Sequence, residues 1–143
     1  MYVVQELTAE ITAYSVDGAR LTPIQTVPMT DPTFKGKVGA ADIHISPNGQ
    51  FLYASNRGDA DEIVLYTINP VTGQLTFIER TRTMGKTPRN FMIDPTGRFL
   101  LVANQNTNTV NVMSIDQKTG RLYPTANRID ISMPVCLKMV LVE

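Results

Sequence analysis

A base that activates water and a cation that holds a developing negative charge together make a hydrolytic site. An anionic substrate group would call for a bidentate cation, a task that suits arginine better than lysine. Glu6, Arg57, Arg89 and Lys86 can supply these groups if the fold gathers them. Glu6 would then act as base or orient water, and Arg57 would stabilise the oxyanion or hold an anionic group. Arg89 and Lys86 would bind substrate. His44, the single histidine, sits with Asp42 and Ser46 on one strand face and could line the same site. Each assignment has a plainer counterpart: a structural ion pair between neighbouring units for Glu6 and Arg57, a hydrogen-bonded structural role for His44, and a hydrogen bond to backbone carbonyls of a neighbouring unit for Arg89.

Other chemistries find no support. Thirteen basic and thirteen acidic residues give zero net charge, so nothing electrostatic favours nucleic acid or an anionic membrane. There is no clustered His/Cys set for a metal, and neither a glycine-rich phosphate loop nor a Gly-x-Ser-x-Gly elbow is present. No cofactor and no metal are expected. The apolar runs fall far short of the roughly 20 residues a membrane span requires. Met1 to Leu7 lacks a basic region followed by an apolar stretch, and the expected location is the cytoplasm. Cys136 has no partner cysteine and is expected to be a buried, inert thiol.

The elements that must position these residues come from an internal repeat. Residues 42–56 (DIHISPNGQFLYASN) recur 48 positions later as residues 90–104 (NFMIDPTGRFLLVAN). The match continues from Ile63–Ile68 and Thr72-Gly73 to Val110–Ile115 and Thr119-Gly120, and a partial third copy opens the chain. Each copy reads as four short strands of β-branched and aromatic alternation joined by Gly, Pro, Asn and Asp turns. No sustained 3.6-residue apolar period is present, so helix should be close to absent. Four-stranded units at a period of about 40–50 residues are the signature of propeller blades. The fold expected is all-β, a β-propeller of four-stranded antiparallel blades.

With strands named A to D from the channel outward, the chain opens with B to D of one blade over 1–28. Full blades follow at 42–82 and 90–131, and a single inner strand closes the chain at 135–142. The total is about three blade-equivalents. Such an arc leaves two apolar faces and strand edges open, which favours self-association. Glu6, Arg57 and Gln105 are repeat equivalents, each opening a B–C loop. Lys86 and Arg89 fall in a D–A connection, and in a propeller these two sets of loops share one rim. Tyr53, Tyr66, Phe51, Phe77 and Phe99 read as core.

Ala40-Ala41-Asp42-Ile43-His44, Leu52-Tyr53-Ala54-Ser55-Asn56-Arg57, Pro88-Arg89-Asn90-Phe91 and Val3-Val4-Gln5-Glu6-Leu7 together resemble the seven-bladed lactonase family. That family contains propeller-type 6-phosphogluconolactonases and carboxy-muconate cyclases. The resemblance covers essentially the whole chain and corresponds to about the last three-sevenths of a member. It implies a site in which Glu6 matches the glutamate of an Asn-Glu-Leu motif, with Gln5 replacing Asn, and Arg57 matches the arginine of Ser-Asn-Arg. The family's early histidine and the arginine of its Gly-Pro-Arg-His motif are expected before residue 1. The function it implies is hydrolysis of a small-molecule sugar lactone of the 6-phosphogluconolactone type. Muconate cyclisation and a non-catalytic propeller piece or binding module are the alternatives.

Overall fold

Eleven strands, all paired antiparallel, make up the computed structural model, which describes residues 1–140. The first sheet has three strands, β1 (Tyr2–Gln5), β2 (Glu10–Asp17) and β3 (Arg20–Pro28), in sequence order. The second has four, β4 (Ala40–Ile45), β5 (Phe51–Asn56), β6 (Glu62–Ile68) and β7 (Leu75–Arg82). The third repeats it with β8 (Pro88–Ile93), β9 (Phe99–Asn104), β10 (Thr109–Ile115) and β11 (Leu122–Asp130). The one helical piece among the described residues is a 3₁₀ turn at Gln105–Thr107. The sheets are three successive blades: β4 lies against β8, and β1, the repeat equivalent of β5 and β9, lies against β4.

The middle blade shows why sequence periodicity becomes architecture. Successive side chains in a strand point to opposite faces. Phe51, Tyr53, Ile63 and Leu65 therefore pack against Phe91, Leu100, Val102 and Met113 of the third blade. Their neighbours Leu52, Ala54, Val64 and Tyr66 pack against Ile11 and Met29 of the first. Every residue of β5 is buried. A buried side chain of this size is worth roughly 1.5–3 kcal/mol, against about 1 kcal/mol for a net hydrogen bond, so the two interfaces dominate the stability.

Hydrogen bonds fix how the blades seat. Tyr53 donates its hydroxyl to the Gly120 carbonyl and Tyr66 to that of Pro28, each at 2.7 Å. Both phenols are buried, and burial pushes their pKa values up. Gly120 has φ +72°, and a Cβ there would lie 2.6 Å from the Phe51 ring, so the turn before β11 accepts no side chain. The left-handed positions ahead of β6 and β10 are filled by Asp61 (φ 47°) and Asn108 (φ 56°). Their side chains accept the Thr87 and Met133 N–H groups, tying each B–C loop to the connection that follows.

At several points the fold departs from the sequence expectations. Phe77 is 44% exposed and Phe99 is 39% exposed, so neither is core. Phe99 occupies the place of Phe51 in the repeat, but no further blade covers it among the described residues. Phe77 lies on an outer strand under the Arg80 guanidinium, 4.3 Å from ring centre to carbon. Cys136 is exposed rather than buried. Residues 135–140 of the expected inner strand form no strand, and residues 141–142 lie outside the described residues. The reason is local. Leu137 N donates to Asn90 Oδ1 at 2.6 Å, as Phe91 N does to Asp42 Oδ2 at 3.1 Å. The segment therefore docks where an inner strand belongs, but has no second strand with which to form a ladder.

Tyr53→Phe is expected to lower stability by about 1 kcal/mol through the orphaned Gly120 carbonyl. Gly120→Ala should cost more than about 1 kcal/mol, because the left-handed φ and the Phe51 ring both oppose it. Urea midpoints read both effects, and an unchanged midpoint for Gly120→Ala would contradict the close packing.

Candidate active site

Three blades meet around a polar cleft of about 500 Å³ on the rim that carries the B–C loops. The first blade contributes Glu6, directly after β1, and the second contributes Arg57, directly after β5. Arg57 Nη2 lies 2.5 Å from Glu6 Oε1. Its Nε donates to the Gly39 carbonyl at 3.1 Å, and Nη2 also reaches the Ala40 carbonyl at 3.4 Å. Arg57 is largely buried, whereas Glu6 keeps 63% of its side chain exposed. The guanidinium is thus fixed by backbone, and the carboxylate reaches it from the open side.

β-Bulges at the tops of two inner strands supply the other walls. Pairing of β4 with β5 shifts between Ala40 and Ile43, leaving Ala41 and Asp42 outside the ladder. The equivalent shift in β8 falls between Pro88 and Asn90, leaving Arg89 outside it. An extra residue in one strand bends the backbone and re-aims side chains. Asp42, Arg89 and Asn90 all line the cleft. The Arg89 side chain is exposed and has no hydrogen-bond or ion-pair partner among the described residues. It belongs to β8 itself rather than to the D–A connection expected for it.

Asp42 is the residue that sequence reasoning missed as a site component. Its Oδ2 accepts from Asn90 Nδ2 at 2.5 Å, Phe91 N at 3.1 Å and His44 Nε2 at 3.2 Å. Oδ1 accepts from Ile43 N at 2.9 Å. Burial pushes the Asp42 carboxyl up, but the bonds from His44, Phe91 and Ile43 outweigh it and hold the pKa below the ordinary carboxylate value. The signal was present in the repeat, which aligns Asp42 with Asn90 as polar residues at one inner-strand position.

The two other predicted residues lie apart from the cleft walls. His44 points its Nε2 at Asp42 and sets its ring edge-on to Phe91, with centroids 4.8 Å apart. Lys86 Nζ lies 3.0 Å from Oδ2 of the buried Asp61. Gln5 Nε2 donates to Thr12 Oγ1 at 2.8 Å, which keeps its side chain on the first blade. No group of three or more metal-ligating side chains occurs among the described residues. No helix among them is long and apolar enough to cross a membrane.

The model of a family described as lactonase, seven-bladed β-propeller, matches residues 1–139. The chain belongs to the seven-bladed lactonase family. It is 39% identical over 139 residues to a 6-phosphogluconolactonase of Formosa agariphila, covering 96% of this chain and 39% of that protein. A 6-phosphogluconolactonase of Bacillus subtilis is 34% identical over 141 residues, covering 97% and 40%. The periplasmic gluconolactonase of Pseudomonas aeruginosa superposes with a TM-score of 0.96 at 37% identity, over 99% of this chain and 39% of that one. This lactonase-family chain therefore spans about two-fifths of the length of these relatives.

Because the folded pKa of Asp42 is depressed, the unfolded chain binds more protons in the acid range, and stability must rise with pH there. The contribution is complete above the unfolded value of about 3.9 and is lost as pH falls through the lower folded value. Asp42→Asn lacks it. The stability gap between wild type and Asp42→Asn is expected to close on acidification below about pH 4. A gap of constant size in denaturant titrations across that range would contradict this assignment.

Proposed function

We propose that the cleft serves hydrolysis of sugar lactones of the 6-phosphogluconolactone type. The observation that carries this reading is an unpaired arginine, Arg89, beside a fixed Glu6–Arg57 pair in one polar cleft. Glu6 Oε2 has no hydrogen-bond partner among the described residues, and in this reading it takes a proton from water as the water oxygen bonds to the lactone carbonyl carbon. Arg57 Nη1, likewise without a partner among them, receives the oxyanion. Collapse of the tetrahedral intermediate breaks the ring C–O bond. The proton passes to the departing alkoxide, leaving an open-chain hydroxy acid. Arg89 grips the anionic group remote from the reacting carbon.

Membership of the lactonase family and the 6-phosphogluconolactonase names of similar proteins support this choice of substrate. The relatives compared lend no support to muconate cyclisation. A phosphorylated substrate would also favour the cytoplasm, since a charged ester does not cross a bilayer unaided; the periplasmic relative carries the non-phosphorylated name. One observation favours a second, non-catalytic reading: the chain spans only about two-fifths of its relatives. Hydrolysis of δ-6-phosphogluconolactone, corrected for spontaneous opening, separates the two. Activity above background should fall about 100-fold in kcat in Glu6→Gln and drop sharply in Arg57→Ala. Full activity in Arg57→Ala would remove its assigned role, and a wild-type rate no higher than spontaneous opening would decide for the non-catalytic reading.

Self-association belongs to the same proposal. Val3, Val16, Leu21 and Ile24 are exposed on the first blade, and Phe99, Tyr123 and Ile129 on the third. Apolar surface of this kind next to unpaired strand edges favours a second copy as cover. Light scattering is expected to give a mass that is a multiple of 15.8 kDa. A stable folded monomer would contradict it.

A further inference from the structure

Arg89 stands on a bulge, so the β8–β9 ladder does not fix its backbone. The two residues after it are fixed instead from the neighbouring blade. Asn90 Nδ2 and Phe91 N both donate to Asp42 Oδ2, at 2.5 and 3.1 Å. Asp42 is itself locked. Its N–H donates to Oγ of the fully buried Ser55 at 3.1 Å, and its Oδ1 takes the Ile43 N–H. His44 Nε2 is the third donor to Oδ2. An ionised carboxylate only accepts hydrogen bonds, which requires the proton of His44 to sit on Nε2.

We propose that Asp42, braced by Ser55 and His44, is a positioning residue that holds Arg89 in the cleft for the phosphate of a phosphorylated sugar acid or its lactone. The inference rests on the lactonase reading for its ligand class, but not on turnover. It gives His44 a part in the site without contact with substrate. Through this clamp, one carboxylate sets the distance between an arginine of the third blade and the Glu6–Arg57 pair of the first two. Asp42 is a spacer between cations, and removing it should cost affinity for the phosphate end while sparing the carboxyl end.

Calorimetric titration of the full chain with 6-phosphogluconate and, separately, with gluconate tests this. Asp42→Ala should weaken 6-phosphogluconate binding about tenfold, by the same factor as Arg89→Ala, and leave gluconate binding unchanged. The double variant should be no weaker than Arg89→Ala alone, because both remove one interaction. Asp42→Asn keeps an acceptor oxygen for Asn90 and Phe91 and should recover part of the loss. Urea midpoints taken alongside show that each variant is folded. Three results would overturn the proposal: no Arg89-dependent binding in the wild type, losses that multiply in the double variant, or equal weakening of both ligands. Lactone turnover measured on the same samples judges the lactonase reading separately. Arg89-dependent binding without turnover would sink that reading and leave the clamp standing.

Discussion

The structure depends on the burial of one blade on both faces. β5 and β6 send alternate side chains to opposite neighbours, so the second blade cannot slip by a residue without exposing both interfaces. That constraint fixes the register of β5 and therefore the height at which Arg57 leaves its end. It also fixes the third blade, whose Phe91 and Leu100 fill the face that Phe51 and Tyr53 present. A cleft built from Glu6, Arg57 and Arg89 on three different sheets keeps its geometry only because the apolar faces beneath it are packed.

Polar contacts refine what this packing determines. Tyr53 and Tyr66 each cross one interface to a backbone carbonyl, in the turn before β11 and at the end of β3, and set how far the outer strands approach. On the channel side the same role falls to a carboxylate. Asp42 collects donors from its own strand and from the next blade, and Asn90 repeats the pattern with Leu137. The outer bonds join neutral groups, whereas the inner one carries a charge held ionised by its donors. Its strength is therefore tied to pH, and the outer bonds are not.

The blades and all eleven strands follow closely from the 48-residue repeat and its partial opening copy, because alternation and turn residues are local properties that the sequence carries directly. The gathering of Glu6 and Arg57 followed from repeat equivalence, and their pairing is the structural counterpart weighed beside catalysis from the start. Asp42 escaped notice because a bulge is not written in residue type. Ala41-Asp42 and Arg89 leave the ladder through backbone geometry that alternation alone does not report. Phe99 was misjudged for a different reason: it has the residue type of Phe51 without the neighbouring blade that covers Phe51. The expected inner strand at the end of the chain failed likewise, since a ladder needs a partner and Leu137 finds only the Asn90 side chain.

A crystal structure of the chain grown with 6-phosphogluconate would show which side chains hold each end of the ligand. Density is expected in the cleft with the phosphate on Arg89, the carboxyl end near Glu6 and Arg57, and Asp42 still bonded to Asn90. A ligand bound elsewhere, or a phosphate resting on Lys86 while Arg89 turns to solvent, would contradict it.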